Sequence, residues 1–597
     1  MSLPNSRKKA EEFIKNEKEF HLGELITESQ HPKTMNFSET VQNNTQSGLK
    51  MLFRVDEDIV PVYKKVLETD EFNELVSSLY AAMLEGKRIC FSGCGSTGRL
   101  GILLEKMWRT FWSRAEELLP ALKTKLPLIS DSSYSIMTGG DFALIRSLEN
   151  FEDFQSFGRQ QVKEAKIKEG DVFVAITEGG ETPSVIGTVW QAFESGAKVF
   201  FVFNNPAGIL SNHLKRSREV IKEEKITKLD LTTGPMAITG STRMQAITVE
   251  LLVIGTALEM AIAKVLNKIL TIDELSVLNI KKWCKDDYVE RYKGLLSTIS
   301  SRESLNQLAC VVELEEEVYG REGFITYFSD SFMLDILTDT TERAPTFSIP
   351  HFRKNDDFKS PQSWAFVKNP LIDTKSAWFN MLMREPRGLN WDSDLYESMG
   401  ASSNLCESPP KISNSEIYKF QIGYEDSPGR YQNAASTAII FLAGREVSKY
   451  EEENSQYRKL FDNHIKKYNR KGYIIINDIL PKNIDKDIVM NIPYNAPESQ
   501  LDLFLHTAIK LVFNTISTAT MARMGRIVKN VMVYVNPTNK KLIDRGSRII
   551  SDLTGLKYLD ACEALFETIE LIQKSSSEEK FSDSPVKRAI ECIKNKR

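Results

Sequence analysis

A chain of 597 residues is too long for one compact core, which predicts two or three domains. Its composition, with 41% hydrophobic and 26% charged residues, is ordinary for a soluble globular protein. The formal net charge of −4 gives no electrostatic footprint for nucleic acid or for an anionic membrane, so neither is expected as a partner.

The seven cysteines are scattered and form no CxxC pair, which favours reduced thiols over a zinc site or a disulfide framework. The histidines lack metal-type spacing, so no metal and no cofactor is predicted, and only His506 is expected near a pocket. The N-terminus has no signal-peptide core, and the most apolar helical candidate, residues 247–263, is too short to span a bilayer. A cytoplasmic location is the expectation.

The predicted elements begin after a polar arm, residues 1–40, which is expected to be extended. Helical stretches at residues 39–69 and 70–85 come next. Three short apolar segments then predict strands, each leading through a turn towards a helix: residues 88–92, 172–176 and 199–203. Alternating strands and helices of this kind predict an α/β domain with a parallel sheet covered on both faces.

The second half of the chain shows weaker strand signals, at residues 324–328, 418–424, 438–442 and 473–477. They are separated by a Ser/Pro/Asn-rich loop, residues 401–416, and by a charged stretch, residues 446–470. We therefore predict two α/β domains and a helical C-terminal region. The predicted boundaries are residues 1–40, 41–285, 286–545 and 546–597, with residues 574–583 expected to be flexible.

A glycine-rich turn, GCGSTGR at residues 93–99, joins the first predicted strand to its helix. Glycines allow the backbone to approach an anion, Ser96 and Thr97 offer hydroxyls, and the helix start offers unpaired N–H groups. The GxGxxG spacing alone is not specific, so a tight turn without a ligand stays an alternative.

Two further turns carry similar chemistry, TEGGETP at residues 177–183 and TGSTR at residues 239–243. Because such turns meet at the carboxyl edge of a parallel sheet, three of them favour a small polar anion or sugar as ligand. The candidate ligand-binding residues in these turns are Gly95, Ser96, Thr97, Gly179, Thr182, Ser241, Thr242 and Arg243.

These motifs, together with ETP at residues 181–183, NNP at 204–206, ITESQHPKT at 26–34 and the segment 510–542, resemble one superfamily. It contains the N-acetylmuramic acid 6-phosphate etherases and the glucokinase regulatory proteins, which are built from sugar-isomerase (SIS) domains. The length of the chain resembles the regulatory plan, in which two SIS domains and a helical C-terminal lid share one chain. Residues from about 300 to 501 match only loosely.

The resemblance implies a phosphorylated hexose or amino sugar as ligand, with a sugar kinase as the partner to be controlled. It also implies either a monomer with an internal pseudo-dimer or a homodimer. Lys510, retained from the superfamily, is a further candidate ligand contact, although a surface salt bridge is the alternative. Gln245 stands where a lysine is usual.

The etherase reaction needs one glutamate as acid and one as base. The resemblance places the base at Glu152, our candidate catalytic residue, but Met107 occupies the acid position and methionine cannot transfer a proton. The expectation is therefore a sugar-phosphate-binding regulatory protein without enzymatic activity. The alternative is an etherase-like carbon–oxygen lyase in which Glu105 or a residue of the second domain is the acid. An aldose–ketose isomerase has no identifiable base.

The acidic residues Glu178 and Glu181 in the second turn depart from the etherase pattern. They are expected either to point into solvent, to bind a sugar hydroxyl or to contact a basic residue of a partner.

Overall fold

The computed structural model describes residues 5–452, 455–482, 484, 488–574 and 584–595. Its first sheet contains five parallel strands in the order β2-β1-β3-β4-β5. These are β1 (Ile89–Gly93), β2 (Ser133–Met137), β3 (Val172–Ile176), β4 (Lys198–Phe203) and β5 (Thr227–Asp230). The three central strands, β1, β3 and β4, are mostly apolar and almost entirely buried, as expected for a sheet covered by helices on both sides.

A second sheet of five parallel strands has the order β10-β9-β8-β6-β7. These are β6 (Ile325–Phe328), β7 (Ala365–Lys368), β8 (Thr437–Ala443), β9 (Arg470–Ile476) and β10 (Val489–Ile492). Followed from β7, this order repeats that of the first sheet. A short antiparallel pair, β11 (Ile527–Val528) and β12 (Val531–Met532), comes later in the chain. The predicted fold class, α/β with two parallel sheets and a helical C-terminal region, is confirmed.

The helices before and around the first sheet are α1 (Ser6–Asn16), α2 (Phe37–Asn43), α3 (Thr45–Asp56), α4 (Ile59–Leu67), α5 (Asp70–Leu84), α6 (Ser96–Leu118), α7 (Leu122–Lys125), α8 (Gln155–Glu164), α9 (Pro183–Glu194), α10 (Ala207–His213), α11 (Lys215–Lys222), α12 (Gln245–Ile269) and α13 (Ile272–Leu278). Those around the second sheet are α14 (Lys285–Ile299), α15 (Arg302–Gly320), α16 (Met333–Phe347), α17 (Thr374–Leu382), α18 (Ser393–Ser398), α19 (Ser403–Glu407), α20 (Asn414–Ile417), α21 (Arg445–Glu451), α22 (Gln456–Ile465) and α23 (Leu503–Arg523). The C-terminal helices are α24 (Lys540–Thr554), α25 (Tyr558–Lys574) and α26 (Pro585–Asn595).

Helix α12 is longer than the sequence analysis expects. It has 25 residues and a mean hydropathy of 1.9 in its most apolar window, so by length and composition it could cross a bilayer. It is the one such helix within the described residues, and 94% of that window is buried inside the protein. Glu250 and Glu259 on this helix are fully buried, and burial raises the pKa of Glu259 to about 7. This degree of burial indicates that α12 is a helix of the protein core.

The N-terminal arm is not extended, contrary to expectation. Helix α1 packs against α25, with Arg7 Nη1 lying 2.9 Å from Asp560 Oδ1 and 2.8 Å from Glu563 Oε2. Lys9 Nζ lies 2.7 Å from Glu570 Oε1. These partners are some 550 residues distant in the chain, so the first residues alone give no indication of them.

The predicted strand at residues 418–424 is wrong. Gly423 lies so close to the Asp373–Thr374 backbone that a Cβ would come within 2.3 Å of Thr374 N, and this packing holds the segment outside the sheet. The loop predicted at residues 401–416 contains α19 and most of α20, and the charged stretch at 446–470 contains most of α21 and all of α22. Residues 575–583 of the segment predicted to be flexible lie outside the described residues.

The two sheets share a hydrophobic core. Helix α23 packs against α12 on the side of the first sheet and against α15 and α16 on the side of the second. A single cluster of buried side chains runs from Phe37 to Ile590 and includes residues of both halves. The two sheets are therefore not separate cores joined by a linker, and the predicted domain boundaries stay predictions.

Candidate functional site

The three turns selected from the sequence meet at one cavity of about 140 Å³. The structure brings seven of the predicted site residues to its wall: Gly95, Ser96, Glu152, Thr182, Ser241, Thr242 and Arg243. The first two turns lie between β1 and α6 and between β3 and α9, at the carboxyl edge of the first sheet, where ligands bind in open parallel sheets. The third leads into α12.

The first turn is fixed by glycine geometry and by a threonine hydroxyl. Gly95 has φ +57°, and a Cβ on Gly93 would lie 2.4 Å from the carbonyl carbon of Thr97. The buried Thr97 hydroxyl donates to Cys94 O at 2.8 Å and accepts from Cys94 N at 3.0 Å. Thr97 therefore holds the turn in shape and does not line the cavity, whereas Ser96 does.

The third turn is held by segments from both ends of the chain. Gly240, with φ +68°, donates its N–H to Thr27 O at 3.1 Å, and Thr239 donates its N–H to Asn530 O at 2.9 Å. A Cβ on Gly240 would lie 2.8 Å from Arg545 Nε, so this position requires glycine. The motif at residues 26–34 thus stabilises the third turn through a backbone hydrogen bond and does not itself line the cavity.

Gly179 and Lys510 are predicted site residues that the structure does not place on the cavity wall. The carbonyl of Gly179 accepts from Asn205 Nδ2 at 3.0 Å. Lys510 is half-buried, and its Nζ donates to Met244 O at 2.7 Å and to Thr248 Oγ1 at 2.5 Å, so the predicted alternative of a surface salt bridge is wrong for this residue. Burial lowers the pKa of Lys510 to about 7.

His506 does not line the cavity either, contrary to the expectation for this residue. Its Nδ1 lies 2.7 Å from Asp335 Oδ1 in a buried pair. Arg243 lies on the wall, but its guanidinium is engaged by Asp339 at 3.1 Å and by the hydroxyls of two residues on α23. Its contribution is to tie the third turn to α16 and α23.

Two further cations of the cavity come from α24, which is not among the predicted site elements. Lys541 Nζ lies 2.9 Å from Glu181 Oε1 and 3.5 Å from Glu152 Oε1. Arg545 also lines the cavity and is paired with Glu28 at 2.6 Å. The only signal in the sequence is the lysine pair at residues 540–541, near the end of a segment already identified by resemblance.

Glu178 and Glu181 are both buried, with 8% and 1% of their surface exposed. The expectation that these two side chains point into solvent is therefore wrong. Glu181 is paired with Lys541 at 2.9 Å and with Arg216 at 2.8 Å, and these cations hold the pKa of its carboxyl below the ordinary value despite burial. Glu178 lines the cavity, and burial raises its pKa to about 7 although Lys541 opposes the shift.

A third carboxylate on the wall, Glu342, comes from α16 beside the second sheet and pairs with Arg99. The cavity therefore combines hydroxyls from the first sheet with charged groups contributed by α16 and α24. Within the described residues no group of three or more His, Cys, Asp or Glu side chains has the arrangement of a metal site.

Glu105 and Met107 do not supply an acid to the cavity. Met107 is buried in the core with 2% of its surface exposed. Glu105 is fully buried and lies about 3.0 Å from Arg109 and Arg384 and 2.8 Å from Arg387, and these guanidinium groups hold its pKa well below the usual range. A carboxylate held in its ionised form cannot donate a proton, so Glu105 is excluded as the acid of a lyase.

Comparison with known proteins finds a similarity in the first part of the chain. Residues 71–192 match the model of the glucokinase regulatory protein N-terminal SIS domain. The predicted resemblance is confirmed.

Several similar curated proteins are etherases. N-acetylmuramic acid 6-phosphate etherase 1 of Bacillus licheniformis is 28% identical over 235 residues, which cover 39% of this chain and 67% of that protein. The etherase of Clostridium acetobutylicum is 29% identical over 264 residues, covering 44% of this chain and 77% of its own. The etherase of Caldanaerobacter subterraneus is 28% identical over 309 residues, which cover 50% of this chain and 90% of that protein.

Among solved structures, the C-terminal domain of glucosamine-fructose-6-phosphate aminotransferase from Francisella tularensis aligns with a TM-score of 0.43 and 12% identity, covering 79% of this chain and 94% of its own. Tagatose-6-phosphate ketose/aldose isomerase from Escherichia coli aligns with a TM-score of 0.39 and 12% identity. This alignment covers 81% of this chain and 97% of the isomerase chain.

Proposed function

We propose that the cavity binds a phosphorylated sugar. The observation that carries this proposal is the convergence of hydroxyls from three turns with the Lys541 ammonium and with the carboxylates of Glu152, Glu178 and Glu342 on one wall. Hydroxyls and N–H groups at helix starts suit phosphate oxygens, and carboxylates accept hydrogen bonds from sugar hydroxyls. The match of residues 71–192 to an SIS domain supports the same ligand class.

The charges favour one orientation of the ligand. Ser96 opens α6 and Thr182 precedes α9, so the phosphate belongs at these helix starts, together with the hydroxyls of Ser241 and Thr242. The sugar ring then faces Glu152 and Glu178, where its hydroxyls offset the negative charge that would repel a phosphate.

Beyond sugar-phosphate binding, the activity that we propose first is that of a carbon–oxygen lyase of the etherase type. The curated relatives are etherases, so the leaning against enzymatic activity drawn from Met107 is not supported. Two carboxyls in different environments suit the reaction. Glu152, beside the Lys541 ammonium, would take the proton from the sugar carbon, and the carbon–oxygen bond to the leaving group would then break. Glu178, protonated in part at neutral pH, would give its proton to the departing oxygen.

A second candidate is a binding protein that uses the sugar phosphate as a signal. The regulatory-type SIS match and the second sheet with the same strand order favour it. In this function the ligand would favour one of two conformations that differ in affinity for a partner, with a sugar kinase as the predicted partner. That partner, the oligomeric state and the cytoplasmic location stay predictions.

The test combines binding with turnover. Calorimetry with hexose 6-phosphate, hexosamine 6-phosphate and N-acetylmuramic acid 6-phosphate measures binding, and release of lactate from the last of these measures elimination. A lyase should release lactate, Glu152→Gln should abolish the release while retaining binding, and Glu194→Gln, an exposed control on α9, should change neither.

Binding without lactate release would support the regulatory candidate. If none of the three sugar phosphates binds, the proposal fails for both candidates.

A further inference from the structure

A second and larger cavity, of about 570 Å³, lies against the first. The two share three wall residues, Ser147, Pro345 and Leu542. Its remaining wall comes largely from the end of α16 and the loop that follows, residues 344–361, together with Arg146 from the first half. A ligand held in the first cavity is therefore next to a space that a single sugar ring does not occupy.

The charged groups of the second cavity are mainly cationic. Arg146 is exposed and, within the described part of the chain, has no side-chain hydrogen bond or ion pair. Arg353 uses one guanidinium nitrogen to donate to Ser360 O at 3.1 Å. The single carboxylate on the wall, Asp357, accepts the N–H groups of two following loop residues at 3.1 and 3.0 Å and also interacts with the Arg353 guanidinium, so the wall carries two cations against one anion.

An unused polar atom adds to this evidence. His351 lines the cavity, and its Nδ1 is buried without a hydrogen-bond partner among the described residues. Leaving a buried polar atom unpaired costs free energy that a ligand hydrogen bond recovers. Burial and the neighbouring Arg146 guanidinium lower the pKa of His351 to about 4, so the ring is neutral at neutral pH and can donate one hydrogen bond.

We propose that the second cavity binds a second phosphate, so that the preferred ligand is a doubly phosphorylated sugar that reaches into both cavities. The inference rests on the proposed phosphosugar site in the first cavity. Two guanidinium groups and an imidazole nitrogen match the several acceptor oxygens of a phosphate dianion better than those of a neutral sugar substituent, which would leave the Arg146 guanidinium without an ionic partner.

Calorimetry on the full chain at neutral pH tests this inference. The ligands are a hexose 1,6-bisphosphate and the corresponding hexose 1-phosphate and hexose 6-phosphate. We expect the bisphosphate to bind at least about tenfold more tightly than the better monophosphate, because charge-assisted hydrogen bonds are added at the second site.

The double variant Arg146→Gln/Arg353→Gln should reduce the affinity for the bisphosphate to that for the monophosphate and leave the monophosphate affinity unchanged. Arg321→Gln, on a largely exposed arginine outside both cavities, is the matched control and should leave all three affinities unchanged. An unchanged melting temperature shows that the double variant is folded.

Equal affinity of the unmodified chain for bisphosphate and monophosphate would overturn the inference, as would a bisphosphate advantage that persists in the double variant. Either result leaves the first site intact, because the monophosphate still binds. Failure of every phosphosugar to bind would instead overturn the proposed function itself.

Discussion

Replacing Glu178 by Gln should stabilise the protein at neutral pH relative to acidic pH. Glu178 is buried with 8% of its surface exposed, and burial raises its pKa from 4.5 to about 7. Between these two values the folded chain keeps a proton that the unfolded chain releases, so stability falls as pH rises. Each pKa unit corresponds to about 1.4 kcal/mol, which gives a penalty of roughly 3 kcal/mol near pH 7.5 and under about 1 kcal/mol near pH 5.

Urea denaturation at the two pH values measures this difference. A glutamine in place of Glu178 has no proton to lose, so the free energy of unfolding of the variant, relative to the unmodified chain, should rise by about 2 kcal/mol from about pH 5 to about pH 7.5. The absolute effect of the amide on packing cancels, because only the change with pH is compared.

Glu181→Gln is the matched control, three residues away in the same turn. The cations beside Glu181 lower its pKa, so its stabilisation is fully present above its unfolded pKa and is lost only as pH falls through its lower folded pKa. The Glu181→Gln variant should therefore be destabilised about equally at both pH values. If Glu178→Gln shows the same pH-independent loss, the argument from burial of Glu178 is refuted.

Three further predictions concern the site and its support. Lys541→Met should lower the affinity for hexose 6-phosphate by about 10- to 100-fold in calorimetry, while Lys540→Met on the neighbouring, more exposed lysine should not. Gly240→Ala should cost about 1–3 kcal/mol and lower the melting temperature, because φ is +68° and an arginine fills the Cβ position, whereas Gly208→Ala meets no atom within 4 Å and should have no such effect. Arg384→Met should cost about 3–5 kcal/mol in denaturant, because it leaves two buried carboxylates without one of their cations. Equal effects within either matched pair, or an Arg384→Met variant as stable as the unmodified chain, would contradict these assignments.

The sequence predicts strands where apolar residues are continuous. Strands β1, β3, β4, β8 and β9 are uninterrupted apolar runs for most of their length, and such runs predict buried strands of a parallel sheet. Strands β2, β5, β7 and β10 are only four or five residues long and include polar positions, so no local pattern separates them from loops. Their assignment depends on pairing with neighbours distant in the chain.

The same distinction applies to the site. Ser96, Thr182, Ser241 and Thr242 can be found from the sequence because glycine-rich turns at strand ends have a local signature. Lys541 and Glu342 have no such signature: each is a charged residue on a helix, and only the tertiary positions of α24 and α16 bring it to the cavity. Lys510 shows the opposite error, because a basic residue in a recognised segment is half-buried against the backbone and hydroxyl of α12.

The composition of the cavity wall bears on the choice between the two proposed functions. Its walls come from the first sheet, from α16 beside the second sheet and from α24, so any bound ligand stabilises the docking of all three regions. Ligand-induced stabilisation therefore cannot separate a lyase from a regulator. The protonation of Glu178 can, because elimination requires a proton donor whereas recognition of a hydroxyl requires only an acceptor. Glutamine keeps an acceptor oxygen but gives up the acidic proton. For a lyase, the unmodified chain should release lactate and Glu178→Gln should bind the substrate without releasing it. For a regulator, neither protein should release lactate and both should bind with the same affinity.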